Sequence, residues 1–359
     1  MGAERFRAFA RGRVERGIFR ARLNRFVIEA ELEGRTIRAH LPNPGRLWEI
    51  LHPGVELALL PTPQSPGMAY KTVAARRGGR WVCLDTIRTN ALARHLLERE
   101  AVPGLEGWKI LASEVPRGNS RFDFLLGRNA ERLFLEVKSC TLFQGPMAMF
   151  PDAVTERGRR HLLELAGLGG TGERGAVLVV SQGPKSRFFL PDYHTDPAFA
   201  RAFLETRGKI GVFAVSTGWD EDLVLEETVR SLEIPWETLE RTDFDSGVWL
   251  AILDRRTRPA MPPFSVLAGL EESGLDRRMK RLAKELAPSA VKVVPIRGYR
   301  VGLGPLEEAL ALSAAQVEKN TGGEKTTVFR YDRNPLSLPG FVETLLDFRL
   351  VLQPLGKML

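Results

Sequence analysis

Apolar and acidic side chains begin to alternate along Phe26-Val27-Ile28-Glu29-Ala30-Glu31-Leu32, the two-residue period of a strand that buries one face. Similar short runs follow at residues 35–41, 55–60 and 70–76. They are separated by Glu33-Gly34, Pro42-Asn43-Pro44-Gly45, Pro53-Gly54 and the turn-rich stretch 61–67. Short strands broken by turns over residues 1–82 predict a small β-barrel. Ala91, Leu92, Leu96 and Leu97 then form an apolar stripe, predicting a helix over 90–100 with Asn90 able to cap it. Runs at 109–115, 120–126 and 133–139 predict three consecutive strands. Residues 152–165 read as a helix and 175–180 as a buried strand, giving the order β-β-β-α-β. The GLGGTG at 167–172 ends a helix and does not follow a strand, so it reads as a cap and turn and not as a phosphate loop.

A surface helix at 197–207 and a strand at 211–216 complete a central domain over 83–229. The stretch 230–246 carries Pro235, Glu237, Glu240, Asp243 and Asp245 and reads as a linker. Beyond it, 248–253 and 291–296 are strand-like, and 274–286, 305–317 and 341–348 are helix-like, a further α/β domain over 247–359 without a motif of its own. The fold class is therefore α/β with a β-barrel, and with no recurring period a solenoid is excluded.

Charge sharpens this picture. The chain carries a net charge of +8, and its first 25 residues hold eight arginines against Glu4 and Glu15. Arginine's planar fork suits phosphate. Hydrophobic residues at 43% and charged residues at 27% argue against disorder or a fibrous architecture. Cys83 and Cys140 stand far apart without metal-ligand spacing, so neither a disulfide framework nor a zinc ribbon is expected. No run approaches the ~18 apolar residues of a membrane span and no leader is evident, which points to the cytoplasm and away from a membrane.

The chemistry concentrates in two strands. In Ser120-Arg121-Phe122-Asp123-Phe124-Leu125-Leu126, Phe122 and Phe124 share one face and Asp123 points to the other. In Leu133-Phe134-Leu135-Glu136-Val137-Lys138-Ser139, Glu136 and Lys138 share the face opposite Leu135 and Val137. A hairpin centred between Asn129 and Ala130 sets Asp123 opposite Glu136. Opposed Cβ atoms lie ~4.5–5.5 Å apart, and like charges so placed repel. Mg²⁺ or Mn²⁺ between them answers that repulsion, with water and phosphate oxygens as further ligands. Lys138 would orient or deprotonate a water and stabilise developing charge, for phosphodiester hydrolysis. In the plainer reading, both acids are exposed-face charges neutralised by Arg121 and Lys138.

Three stretches together resemble the sugar fermentation stimulation protein A family: LPNPGRL at 41–47, SRFDFLL running into LFLEVKSCTL, and FPDAVTERGRRHL at 150–162. The resemblance covers about residues 14–228. It implies an OB-like barrel joined to a PD-(D/E)xK nuclease-like domain, with DNA binding and regulation. By position it makes Asp123 and Glu136 the metal-site acids, with Glu114 a further candidate, and Lys138 the motif lysine. Asp152, Glu156 and Arg157 match the third stretch. The helix after Asn90 carries His95 or its neighbours where the resemblance expects an acid.

DNA, or RNA, would lie along Arg20, Arg22, Arg25, Arg38, Arg46 and Trp48, with Asn43 and Gly45 shaping a loop. Arg121 and, near a helix start, Glu156, Arg157 and Arg160 extend that surface. The rival functions are a non-catalytic DNA-binding regulator and a scaffold that works through its C-terminal third. Oligomeric state stays open, a homodimer included.

Overall fold

The computed structural model describes residues 6–9, 14–47, 49–62, 68–242 and 244, together with five strands between 247 and 331. Residues 1–192 and 198–236 form one compact unit, and residues 193–197 and 237–359 a second.

The first unit opens with β1 (Glu15–Asn24), β2 (Val27–Leu32), β3 (Arg35–His40), β4 (Glu56–Pro61), β5 (Tyr70–Arg77) and β6 (Arg80–Cys83). Their sheet runs β3-β2-β1-β4-β5-β6 and closes through a parallel pairing of β3 with β5, at Ala39↔Tyr70 and His40↔Lys71. The alternation in β2 buries Ile28, Ala30 and Leu32, which pack with Phe19, Leu41, Leu57 and Leu59 in the barrel core. The central strand β1 is absent from the sequence-predicted strands. Two register shifts interrupt its pairing with β2, so its inward and outward positions do not alternate cleanly. Much of the expected basic arm is this strand.

Next come α1 (Thr86–Glu98), β7 (Lys109–Arg117), β8 (Ser120–Arg128), β9 (Glu131–Cys140), β10 (Leu142–Gln144), β11 (Met147–Phe150) and α2 (Glu156–Gly167). A short 3₁₀ turn, Leu168–Thr171, follows α2 and ends at Gly172 in the left-handed region, the cap and turn expected of GLGGTG. The unit continues with β12 (Arg174–Ser181), β13 (Phe188–Pro191), α3 (Pro197–Glu205), β14 (Gly211–Ser216) and β15 (Arg230–Ser231). The main sheet runs β15-β14-β12-β9-β8-β7, with β9, β12 and β14 parallel and the β7-β8-β9 meander antiparallel. A small sheet β10-β11-β13 stands beside it.

Both helices start away from their predicted positions. Asp85, not Asn90, caps α1, its carboxylate accepting the Ile87 N–H at 3.2 Å. Thr155 caps α2 by accepting the Gly158 N–H at 3.0 Å, which frees Asp152 for another contact.

The stretch expected to be a linker holds β15 and α4 (Trp236–Arg241). Five antiparallel strands follow: β16 (Gly247–Asp254), β17 (Phe264–Leu270), β18 (Lys292–Arg297), β19 (Ala314–Thr321) and β20 (Glu324–Tyr331), in the order β18-β16-β17-β20-β19. The strands predicted at 248–253 and 291–296 are β16 and β18. The expected helices at 274–286 and 341–348, and 305–313 of the third, lie outside the described residues. Residues 314–317 are strand, because β19 pairs with β20 residue by residue from Ala314↔Tyr331 to Thr321↔Glu324, and such a ladder overrides the local preference of an Ala-rich start.

Candidate metal centre

The β8–β9 hairpin has the register read from its midpoint, from Arg128↔Glu131 through Phe124↔Leu135. Phe122 and Phe124 are buried on one face. Asp123 stands just past the last of these pairs. Its Oδ2 accepts the Val137 N–H at 2.7 Å and its Oδ1 accepts Asn90 Nδ2–H at 2.6 Å. With α1 starting at Thr86, Asn90 falls inside the helix and acts as a positioning donor.

Glu136, 5% exposed, is crowded on one oxygen and bare on the other. Its Oε1 lies 2.6 Å from both Lys138 Nζ and His161 Nδ1, while the buried Oε2 has no hydrogen-bond partner. His161 comes from the inner face of α2, beside Gly158, Leu162 and Leu165. Arg157 Nε–H donates to His161 Nε2 at 3.3 Å. An accepting Nε2 assigns the proton to Nδ1, so the ring donates to Glu136. The Phe122 ring meets the imidazole edge-on at 5.8 Å between centroids.

The two acids differ in charge preference. Burial, reinforced by the Glu136 charge, pushes Asp123 up to about 6, against the pull of the Val137 and Asn90 hydrogen bonds. Burial works to raise Glu136 as well, but the hydrogen bond from His161 and the Lys138 charge prevail and hold it below the usual carboxylate range. Asp123 therefore holds its proton more readily, while Glu136 is kept ionised.

Glu114 does not join these acids. It is exposed, sits at φ 55° on β7, and its carboxylate pairs with Arg121 Nε at 2.8 Å. Among the described residues no three His, Cys, Asp or Glu side chains gather as a metal cage. His95 packs its ring 5.3 Å from Phe6, and burial lowers its pKa.

On the barrel, several candidate arginines are already committed. Arg22 donates to the carbonyls of Arg46 at 2.6 Å, Arg25 at 2.7 Å and Asn43 at 3.3 Å, and Arg25 Nε donates to Pro44 O at 3.1 Å. Both brace the 43–46 loop, in which buried Asn43 accepts the Gly45 N–H at 2.9 Å. Arg20 pairs with Glu31, and Arg38 Nε lies 3.7 Å from Glu29. Arg46 is exposed, and Trp48 lies outside the described residues. On α2, Glu156 and Arg160 are exposed, the latter 3.8 Å from Glu164.

The same loop meets the FPDAVTERG stretch. Asp152 Oδ2 accepts the Leu47 N–H at 3.2 Å, and a Cβ on Gly45 would fall 2.2 Å from that oxygen. Two of the three sequence stretches singled out above are thus in contact, and the third supplies the acids. The SfsA N-terminal OB domain matches residues 21–84, and the sugar fermentation stimulation protein RE domain matches residues 87–222. A sugar fermentation stimulation protein homolog from Methanothermobacter thermautotrophicus is 36% identical over 226 residues, 62% of this chain and 93% of that protein. The chain belongs to the sugar fermentation stimulation protein family.

Another SfsA homolog, from Thermoplasma acidophilum, is 39% identical over 183 residues, covering 51% of this chain and 76% of its own. The solved structure of Pyrococcus furiosus SfsA in complex with Ca²⁺ superposes with a TM-score of 0.58 at 28% identity, over 64% of this chain and 99% of that one. Asn90, Asp123, Glu136, Lys138 and His161 all fall in the matched RE domain, whereas α4 and the β16–β20 sheet lie beyond it. No helix among the described residues is long and apolar enough to cross a membrane.

Proposed function

We propose that this SfsA-family chain is a divalent-metal-dependent nuclease that hydrolyses phosphodiesters in DNA, with RNA as a second class of substrate. The observation that carries the reading is the bare, buried Oε2 of Glu136 beside an Asp123 whose pKa burial raises. An unsatisfied buried carboxylate oxygen is costly, and a hard cation satisfies it. Asp123 and Glu136 would hold Mg²⁺ or Mn²⁺. Pyrococcus furiosus SfsA was solved in complex with Ca²⁺, which supports a divalent cation in this family. When bound, such an ion supplies Lewis-acid polarisation of a phosphoryl oxygen and a more acidic water.

The protein's own groups do the rest. His161, locked by Arg157, keeps Glu136 ionised and oriented. Asn90 and the Val137 N–H aim the Asp123 carboxylate. Lys138 places a positive charge beside Glu136, where it stabilises charge growing on the phosphate. Exposed Arg46, with Arg38 and Arg160, offers phosphate contacts that grip a strand without reading its sequence.

Cleavage of labelled single- and double-stranded DNA and RNA, with Mg²⁺, Mn²⁺ or EDTA, tests the reading. Metal-dependent products should vanish in Glu136→Gln and Lys138→Ala. A second reading, a non-catalytic DNA-binding regulator, draws on the double engagement of Glu136 Oε1, since Lys138 balances that acid's charge and His161 donates to it without a metal ion. DNA retained without cleavage under any metal would establish it over the first.

A further inference from the structure

A second charged pocket lies at the opposite end of the β8–β9 hairpin. It occupies about 300 Å³, near the lower end of small-ligand sites, where β9, β12 and β14 begin. Arg128, which lines it, is five residues along β8 from Asp123, roughly 17 Å at ~3.4 Å per residue. The pocket is therefore separate from the acids.

Its walls combine cations with aromatic rings. Arg128, Arg174 and Lys209 line it together with Trp108, Phe213 and Glu173. Arg128 lies over the Trp108 ring, 4.7 Å from the centroid. Arg128 and Arg174 also converge on one carboxylate, that of Glu131, at 3.1 and 2.9 Å. Their guanidinium groups are close enough to share one anionic group, a place that Glu131 fills. Lys209 is exposed and makes no ion pair among the described residues, while Glu173 is occupied by Arg117. With Glu131 set against Arg128 and Arg174, and Glu173 against Arg117, the three lining cations still outnumber the carboxylate that two of them share.

Phe213 is half-buried and held in place by two glycines. A Cβ on Gly104 would lie 2.8 Å from its Cε1, and one on Gly211 would lie 2.9 Å from its Cε2. The ring is held on both sides, and it lines the pocket. A planar ring can rest there while an attached phosphate reaches the cations.

We infer that this pocket binds a nucleoside monophosphate, with the base against Phe213 and the phosphate between Arg174 and Lys209. The unit could be free in solution or the end of a strand. Binding here is independent of cleavage at Asp123 and Glu136.

Isothermal titration calorimetry of the full chain in EDTA with a nucleoside 5′-monophosphate tests it. One saturable site per chain is expected, weakened by about tenfold or more in the Arg174→Ala/Lys209→Ala double variant and unchanged in Glu136→Gln. Both replaced side chains are exposed, so the double variant should melt like the parent. Competition by a short single-stranded oligonucleotide assigns the site to a strand end, and no competition assigns it to the free nucleotide; either accords with the inference. Absence of binding, binding indifferent to the double substitution, or equal affinity for inorganic phosphate would overturn it.

Discussion

Asp152 accepts the Leu47 N–H with the same oxygen that would lie 2.2 Å from a Cβ on Gly45, so the barrel loop and the α/β domain touch with no room for a methyl group. Gly45→Ala should destabilise the first unit by about 1–3 kcal/mol, the usual cost of overpacking. Urea denaturation measures it. A Gly45→Ala protein as stable as the parent would mean the joint is looser than these contacts.

Asp123 gives a stability prediction with a definite sign. Its folded pKa, about 6, lies above the ordinary 3.8, so the native state holds the proton more tightly than the unfolded chain. That contribution is present below pH ~4 and lost as pH rises through about 6. In EDTA, the stability of Asp123→Asn relative to the parent should therefore rise by on the order of 2–3 kcal/mol between pH 3.5 and pH 7.5. A difference that does not change with pH would remove the raised Asp123 pKa on which the metal reading leans.

His161→Ala should weaken Mn²⁺ binding roughly 10–100-fold, the usual effect of losing a partner that orients a metal ligand. Calorimetric titration with Mn²⁺ would reveal it. The Arg157→Ala change acts only through the His161 ring and should produce a smaller loss in the same direction.

The barrel arginines should separate into two kinds. Arg22→Ala removes donors to the carbonyls of Arg25, Asn43 and Arg46 and should lower Tm. Arg46→Ala should leave Tm alone and reduce the salt slope of DNA affinity by about one phosphate contact. Fluorescence anisotropy across a salt series distinguishes them, and identical behaviour of the two variants would refute the division.

The acids and their hairpin were readable because the information is local: a two-residue alternation fixes which face Asp123, Glu136 and Lys138 share, and a polar turn fixes register. Asn90 and His161 were not readable in their roles. Each is a polar residue on a helix whose inner face becomes visible only once the helix is docked, and shifting the α1 start by four residues turned Asn90 from a cap into a hydrogen-bond donor to Asp123. His161 was in plain view within FPDAVTERGRRHL, and its spacing from Gly158, Leu162 and Leu165 placed it on the buried side of α2. Glu114 read as a strand acid like the others, but a positive φ and Arg121 give it a different partner. β1 escaped notice because its bulges blur the alternation, and β19 because its ladder is made with a strand whose pairing no local pattern announces.

Only two residue pairs, Ala39↔Tyr70 and His40↔Lys71, seal the barrel, against six pairs between β2 and β3. A seam that short should exchange its amide hydrogens sooner than the ladders around it. Lys71 at this seam also holds Asp85 at 2.5 Å, Asp85 caps the helix carrying Asn90, and Asn90 holds Asp123. The barrel's shortest seam and the aim of the buried acid are thus consecutive links of one chain of contacts, so a change that loosens the first should disturb the second.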